Sequence, residues 1–250
     1  MPAVMGQTVT ALAAGEWALI DLVNSVEVQL VHPGLTLSDA DFDALLGGAN
    51  LAIIGDEVIQ FGRATPLGAG RWRLSELWRG RRGTEWAAVA RPMNTPFVLI
   101  EAVALARLSS APSVASVRVM VVGVGDAAGV IADGPAQVGA SVRPLSPVAL
   151  TATASGGDLL IGWMRRSRDG WRWRDAVDVP LGEEIERYRV TKVASGRPDV
   201  VVEVGSAGWI YTASERAADF GAGATTATVS VVQIGALGVS RAAFIIVPTN

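Results

Sequence analysis

The chain has 250 residues, half of them hydrophobic, and a formal net charge of −3. This acidic balance disfavours a general nucleic-acid binder, which normally carries a basic excess. The absence of cysteine excludes disulfides, thiol catalysis and cysteine-based zinc sites, and no apolar run reaches the length of a membrane span. Valine is abundant and 28 glycines and 12 prolines supply turns, so the composition predicts a mainly β fold.

The N-terminal part is predicted to be a β-rich domain over residues 26–143, a barrel or sandwich with one short helix. Residues 1–25 lack a clear periodicity and are predicted to be an extended arm. The helix over 37–48 would be capped by Ser38 or Asp39 and ended by two glycines. Strands are predicted over 26–32, 50–54, 57–64, 71–77, 97–108, 116–125 and 136–144, with 57–77 a hairpin whose loop is 65–70.

The C-terminal part is predicted to be a second domain over residues 148–250, reached through a proline-bracketed linker at 144–147. Its turn signals recur at the spacing of a seven-stranded sandwich. A helical pattern at 213–221 interrupts the strands after the fifth. Candidate strands lie at 148–154, 158–167, 185–193, 198–205, 209–213, 227–240 and 242–248.

The order of these strands resembles a fibronectin type III domain. Trp163 lies in the second strand, with Leu159 and Ile161 on the same face, and Tyr188 lies in the third. Tyr211 lies near the place of that fold's corner tyrosine, just before the helical pattern. The resemblance implies that Trp163 and Tyr188 pack together in a core; any other seven-stranded sandwich is the alternative.

Groups suited to catalysis are few. His32 is the only histidine and no G-x-S-x-G element accompanies it, so a strand end or turn is predicted rather than a catalytic triad. Carboxylates that neighbour each other in sequence do not suggest the facing pair of a glycosidase cleft. They are predicted to be solvated acids, and the sequence predicts no catalytic residue, no metal site and no cofactor. These carboxylate pairs are Asp41/Asp43, Asp56/Glu57 and Glu183/Glu184.

Two clusters of arginine and tryptophan are the candidate interaction sites. The first, RWRLSELWRGRRGTEW at 71–86, has five arginines and two glutamates, a local charge of 5 − 2 = +3. Alternation along its strand would put Trp72 and Leu74 on one face and the intervening arginines on the other. The following turn, flanked by glycines, is too polar for a core and is predicted to bind acids or carbonyls of a neighbouring domain or subunit, with phosphate binding as the alternative. Its interaction candidates are Arg79, Arg81 and Arg82.

The second cluster is RRSRDGWRWRD at 165–175, built around a predicted turn at Asp169-Gly170. Exposed tryptophan beside arginine suits contact with sugar or protein. Packing of the same side chains across one sheet face is the alternative, and the favoured one. The interaction candidates are Arg166, Arg168, Trp171 and Trp173.

The stretch NLAIIGDEVIQFGRATPLGAGRWRLSELWRGRRGTEW at 50–86 resembles a segment in the C-terminal part of the large tail-hub, or baseplate, proteins of siphophages and gene transfer agents. Weaker resemblance continues through the later strands, so it covers about residues 25–250. The chain begins just before the shared region, which predicts either a split gene product or a piece of a longer hub protein. The matching residues are Asn50, Gly55, Glu57, Gln60, Phe61, Gly70, Arg71, Arg73, Leu74, Ser75, Leu77, Arg79, Gly80, Arg81, Arg82, Gly83, Thr84 and Glu85.

What the resemblance implies is a structural protein of a phage tail tip or baseplate, located in the virion. It would join the tail hub to distal, host-facing parts, contact other tail-tip proteins and form a homotrimer around the tail axis. The alternative is a module for host attachment that recognises a glycan or protein receptor. A cell-envelope-degrading enzyme is the third reading, and the hydrolase activity of long relatives lies outside the matched residues.

Overall fold

A computed structural model describes residues 3–101, 103–105, 118–122, 129–133, 139–170, 177–221 and 224–249. The chain forms two compact units that divide near residue 108. The predicted domain boundary lies later, at the linker 144–147, where Pro144 and Pro147 are buried and no regular structure is present. The ranges of the two domains therefore stay a prediction. Among the described residues no helix has the length and apolar character needed to cross a membrane.

The first unit is a closed, antiparallel six-stranded barrel. Its strands follow the order β1-β2-β5-β4-β3-β6 around the barrel, and β1 pairs with β6 to close it. A single short helix, α1, is present between β2 and β3. The elements are β1 (Met5–Thr8), β2 (Val26–Leu30), α1 (Phe42–Leu46), β3 (Leu51–Ile54), β4 (Glu57–Gly68), β5 (Arg71–Trp78) and β6 (Pro96–Leu99).

The barrel core comes from apolar side chains on strands β2 to β6, and on some of these strands inward and outward positions alternate, as in a half-buried sheet. On β2, for example, Val26, Val28 and Leu30 point inward. Strand β1 fits between its two neighbours because Gly6 lacks a side chain: a Cβ there would lie 2.0 Å from the carbonyl oxygen of Gln29. The core is completed by Leu12, Ala52, Ile54, Ile59, Phe61, Leu74, Leu77, Phe97 and Leu99.

Several predicted elements of this unit need correction. The predicted arm over 1–25 contains β1, a strand of the barrel. The helix predicted over 37–48 is only one turn long, and Asp41, not Ser38 or Asp39, caps it by accepting a hydrogen bond of 2.8 Å from the Ala44 amide. The loop predicted at 65–70 is instead a tight turn, because β4 runs to Gly68 and β5 starts at Arg71.

The second unit contains a sandwich of two antiparallel sheets. One sheet has the order β13-β10-β9; the other has the order β12-β11-β14-β15, and β16 also pairs with β14. The strands are β9 (Val148–Ser155), β10 (Asp158–Met164), β11 (Tyr188–Val193), β12 (Val200–Val204), β13 (Gly208–Tyr211), β14 (Thr226–Gly235), β15 (Gly238–Val239) and β16 (Ala243–Pro248). A separate two-stranded sheet precedes them, β7 (Arg118–Val121) with β8 (Val130–Asp133). The strand predicted over 136–144 is not formed in its described part, residues 139–144.

The partition of the sandwich strands is that of a fibronectin type III-like fold, as the sequence predicts. The first, second and fifth strands share one sheet, and the remaining ones share the other. Trp163 on β10 and Tyr188 on β11 meet across the core edge to face, with ring centroids 5.1 Å apart. Both rings are buried, as are Leu159 and Ile161 beside Trp163. The predicted packing of Trp163 against Tyr188 is confirmed.

The predicted helical insert is α2 (Ala213–Phe220), which is separated from the end of β13 by one residue, Thr212. Thr212 caps it in a capping box with Glu215. Arg216 is buried and donates to the carbonyl oxygens of Tyr211 and Gly157, at 2.9 and 2.5 Å. Together with the fully buried Phe220, these contacts hold the helix against its own unit.

Candidate functional site: the arginine turn and the aromatic groove

Strand β5 carries the first arginine and tryptophan cluster into the barrel wall. Leu74 is fully buried and Trp72 packs partly against the core, while Arg71 and Arg73 lie on the outer face. Both arginines donate hydrogen bonds to Glu27 on the neighbouring strand β2. These bonds, from Arg73 and then Arg71, hold the pKa of the Glu27 carboxyl below its ordinary value. The predicted alternation at the start of this strand is confirmed.

The alternation changes phase farther along the strand. Leu74 and Leu77 both point inward although they are three positions apart, an odd spacing that would put them on opposite faces of a regular strand. Between them Glu76 adopts a left-handed backbone conformation with a φ of 54°, which is unusual for a residue other than glycine. Opposite it on β4 lies Gly62, where a Cβ would come within 2.5 Å of the Glu76 carboxylate. The shift places Leu77 and Arg79, the residue that follows β5, on the inner side.

Arg79 is the centre of a buried charged network. Its Nε and Nη2 donate to the two carboxylate oxygens of Glu57 at 2.8 and 2.9 Å, and both side chains have an exposure of 0%. Nη1 donates to the carbonyl oxygen of Ala13 at 3.0 Å and lies 3.6 Å from Oδ2 of Asp21. Paired, fully bonded charges are the form in which a protein interior tolerates them.

This network corrects two predictions. The turn at Arg79 is predicted to be too polar for a core, and Arg79 is instead one of the largest fully buried side chains. Glu57 is predicted to be a solvated acid, whereas it is buried and additionally accepts the Gly80 amide at 2.9 Å. Both residues can be buried because the carboxylate of Glu57 and the guanidinium of Arg79 neutralise each other.

The turn after Arg79 is a pair of short 3-10 turns, Arg81–Gly83 and Glu85–Ala87. Gly80 has a φ of 58°, and a Cβ there would lie 2.7 Å from Cα of Glu85, so this position requires glycine. Thr84 fixes the turn to the barrel: its hydroxyl donates to the Arg81 carbonyl at 2.7 Å and accepts the Val58 amide at 3.0 Å. Gly83, the second glycine of the turn, also has a positive φ, of 85°.

Arg81 and Arg82 differ from Arg79 in position. Arg81 is half-buried, donates from Nε to Oε1 of Gln60 at 2.9 Å and lies 4.8 Å above the ring of Trp78. Arg82 is exposed and has a left-handed φ of 55°. Gln60 in turn donates to the carbonyl oxygens of two residues around α1, at 2.8 and 2.7 Å. The barrel thus holds Arg81 in place at its surface.

An open apolar groove of about 780 Å³ lies beside this turn, within the barrel unit. Phe42 and Trp78 form one wall, edge to face at 5.6 Å between ring centroids. Trp17, Leu19 and Phe42 are 45, 77 and 56% exposed, although all three are large and apolar. Sequence reasoning missed the groove, because its other wall lies in the segment predicted to be an arm. The lining residues are Trp17, Ala18, Leu19, Ile20, Phe42, Leu46, Trp78 and Arg81.

The second predicted cluster is only partly described. Arg168 donates to Oε1 of Glu183 and to the carbonyl oxygen of Gly182, both at 3.0 Å. The side chain of Glu183 is 3% exposed, so its prediction as a solvated acid is wrong. Arg166 is half-buried. Trp171 and Trp173 lie outside the described residues, and a role for this cluster in binding stays a prediction.

The remaining candidate groups have separate places. His32 is exposed in the turn after β2, and its carbonyl oxygen accepts the Leu35 amide at 3.1 Å. Asp41 caps α1 and is exposed, in line with its predicted position at a helix start. In the described ranges no group of three or more His, Cys, Asp or Glu side chains is placed to hold a metal ion.

The sandwich unit holds a second charged cluster that the sequence analysis did not single out. Lys192 is almost fully buried; its Nζ lies 2.5 Å from Oδ2 of Asp219 and faces the rings of Tyr211 and Trp209 at 4.5 and 5.0 Å. The Tyr211 hydroxyl donates to the same carboxylate oxygen at 2.7 Å. Burial, and then Asp219, raises the pKa of Tyr211. The sequence does contain a signal for this buried charge: Lys192 lies on the same face of β11 as Tyr188 and Val190, which point inward.

The molecule thus combines a closed β-barrel with a fibronectin type III-like sandwich. A family described as "Rcc01698-like, C-terminal" matches residues 3–98, a range that covers the barrel almost completely. No curated protein matches the chain.

Solved structures that resemble the chain have low similarity scores. A two-domain fibronectin type III segment of chicken tenascin is 10% identical with a TM-score of 0.30, covering 97% of this chain and 99% of that one. The FN1–FN3 domains of chicken CNTN1 are 11% identical with a TM-score of 0.30, covering 96% and 66%. A structure described as a myokine is 14% identical with a TM-score of 0.29, covering 42% and 97%. Scores of this size support no conclusion about function.

Proposed function

We propose that the chain is a structural component of a phage-like tail tip or baseplate. In this proposal it joins the tail hub to distal, host-facing parts, forms a homotrimer around the tail axis and resides in the virion. It acts by binding its neighbours and performs no catalysis of its own.

One observation carries the proposal: residues of the stretch that resembles tail-hub proteins form the bonds that hold the arginine turn on the barrel. Glu57 and Arg79 form the buried ion pair, and Gly80 supplies both a hydrogen bond and a backbone angle for the turn. Gln60 and Thr84 bond the same turn to the barrel and to α1. The motif therefore supports a rigid barrel wall with a fixed surface turn, which suits an assembly component.

Two of the acidic side chains, Glu57 and Glu183, are buried and ion-paired, which agrees with a protein that performs no catalysis. A general acid or base must reach a substrate, and Glu57 and Glu183 are both buried and already bound to arginine. The match of residues 3–98 to the Rcc01698-like family concerns the barrel and is consistent with a shared barrel-type module.

The proposal is tested on purified particles from the source organism. Quantitative mass spectrometry should find the chain in intact particles at three copies per tail, and electron microscopy with an epitope tag should place it at the tail tip. A particle preparation that lacks the chain, or a tag found only on the capsid, contradicts the proposal.

A strain without the gene separates the rival functions. Particles with missing or incomplete tail tips support the structural role. Complete particles that fail only in attachment support the receptor-binding alternative, and turnover of peptidoglycan by the purified chain supports an enzyme.

A further inference from the structure

Lys192 is the only lysine among the 21 lysine and arginine residues of the chain. It lies on the inner face of β11, where its side chain is 5% exposed. The other buried cations of the described residues, Arg79 and Arg216, are arginines. A guanidinium stays protonated in proteins, whereas a lysine amine can lose a proton and act as a nucleophile. The chain therefore buries its one side-chain amine.

The carboxylate of Asp219 on α2 lies directly against this amine. Nζ of Lys192 and Oδ2 of Asp219 are 2.5 Å apart, and the Asp219 side chain is 16% exposed. The Tyr211 hydroxyl donates to the same oxygen at 2.7 Å. The rings of Tyr211 and Trp209 face Nζ at 4.5 and 5.0 Å. An amine, a carboxyl group and a hydrogen-bond donor thus meet at one oxygen atom, in a largely buried place.

We infer that Lys192 and Asp219 form an intramolecular isopeptide bond, an amide between Nζ and Cγ that ties β11 to α2. The bond closes a loop between two residues that are 27 positions apart in the sequence. The inference concerns the sandwich unit alone and does not depend on the proposed role in a tail.

The reaction balances within the two side chains. One proton passes from the ammonium group to Oδ2, which leaves a neutral amine and a carboxylic acid. The nitrogen lone pair then attacks Cγ and forms the N–C bond. A second proton from the nitrogen joins Oδ2, the bond between Cγ and Oδ2 breaks with its electron pair on oxygen, and one water molecule leaves. The Tyr211 hydroxyl keeps its own proton and stabilises the charge that develops on the leaving oxygen.

The position of the two groups in the fold favours the amide over the ion pair. Groups that are held in contact react as if the concentration of one of them were about 10⁵ M or more. A buried ion pair has also lost the hydration that stabilises two charges in water, whereas an amide carries no charge. An arginine at position 192 could only form a permanent ion pair, as Arg79 does with Glu57.

Mass spectrometry of the purified full chain tests the inference. The intact protein should be lighter than its amino-acid sequence by one water molecule. Lys192→Arg keeps a cation beside Asp219 but removes the nucleophile, and Asp219→Ala removes the carboxyl group, so both variants should have the full mass of their sequences. Asp178→Ala is the matched control, since Asp178 is an acid of the same unit whose side chain is 84% exposed; this variant should still lack one water. Circular dichroism checks that each variant is folded.

Trypsin locates the bond, because it cleaves after a free lysine but not after an acylated one. Cleavage at Arg197 is blocked by Pro198, so the linked protein should yield residues 190–216 and 217–241 as one branched peptide. Without the bond, cleavage after Lys192 separates these residues into linear peptides. A parent chain with the full mass of its sequence overturns the inference, whether or not the variants fold. A loss of water that maps to a linear peptide, or that persists in Lys192→Arg, also overturns it.

Tyr211→Phe tests the part assigned to the hydroxyl while it keeps the ring in place. The fraction of linked chain, followed by intact mass in samples taken during expression, should rise at least about 10-fold more slowly than in the parent, since one donor to the leaving oxygen is lost. An unchanged rate overturns the role of Tyr211.

Discussion

At the residue scale, the buried ion pair of Glu57 and Arg79 connects separate parts of the barrel. It joins the start of β4 to the residue directly after β5 and, through the Ala13 carbonyl, to the segment after β1. A buried pair contributes little compared with apolar residues of the same shape, but loss of one partner leaves an uncompensated charge in the interior. Replacement of either residue alone should therefore destabilise the barrel more than replacement of both by apolar residues.

Glu57→Gln should lower the free energy of unfolding by roughly 3–5 kcal/mol, because it keeps the shape of the side chain but removes the bidentate carboxylate of the buried Arg79. Only the more distant Asp21 carboxylate, at 3.6 Å, then remains as a counter-charge. Urea denaturation followed by tryptophan fluorescence measures the change. The control is Arg63→Ala, whose ion pairs are exposed and should cost under about 1 kcal/mol. The double variant Glu57→Leu with Arg79→Met should recover much of the loss; equal effects of Glu57→Gln and Arg63→Ala would contradict this account.

The buried tyrosines predict how stability depends on alkaline pH. Burial, and then the hydrogen bond to Glu186, raises the pKa of Tyr188 above its ordinary value. A raised pKa means that the stabilisation is complete below the unfolded value of about 10 and is lost as pH rises above it. Between pH 8 and 11 the parent should lose more unfolding free energy than Tyr188→Phe, measured by urea denaturation at each pH. Identical pH profiles would show that Tyr188 ionises as easily in the folded protein.

At the element scale, the sequence predicts elements well where side chains alternate regularly. Strand β10 is an example, since Leu159, Ile161 and Trp163 have the predicted face, and α2 follows its capping residues. Strand β1 could not be recognised, because four residues including Gly6 give too short a pattern. The position of Arg79 could not be recognised either, since it follows from a left-handed backbone at Glu76 that no local pattern indicates.

The capping box of α2 gives a test at this scale. Thr212→Ala removes the side chain that accepts the Glu215 amide at 3.2 Å, and should cost about 1 kcal/mol of stability. Hydrogen exchange should show faster exchange in α2 with little change in β14, because the other anchors of the helix remain. Thr226→Ala, at an exposed strand position, is the control. Unchanged exchange in α2 would show that Arg216 and Phe220 alone determine its stability.

At the scale of the whole molecule, closure makes the barrel complete within the first 100 residues. Strands β1 to β6 form every pairing of the ring among themselves, so the barrel needs no strand from the sandwich. The groove and the arginine turn belong entirely to this unit. The arginine and tryptophan residues of this surface could be identified from the sequence. The groove could not, because its walls come from segments that are distant in the sequence.

A fragment of residues 1–105 should therefore fold alone. We expect a β-type circular dichroism spectrum and a single cooperative urea transition, because the fragment retains the closed sheet and its core. A fragment that ends at residue 90 lacks β6 and is the control, since it leaves β1 and β3 without a shared neighbour. An unfolded 1–105 fragment would show that the barrel requires contacts from the rest of the chain.

Closure by β1 and β6 also has a consequence for synthesis on the ribosome. Gly6 pairs with Phe97, so β1 leaves the ribosome 97 − 6 = 91 residues ahead of its last partner. At translation rates of about 5–20 residues per second, the nascent barrel waits roughly 5 to 18 s with open strand edges. During that time β1 can pair with β2 alone, and the edges of neighbouring nascent chains are available to each other. Expression temperature and translation speed should therefore affect the yield of this protein through the time that these edges stay open.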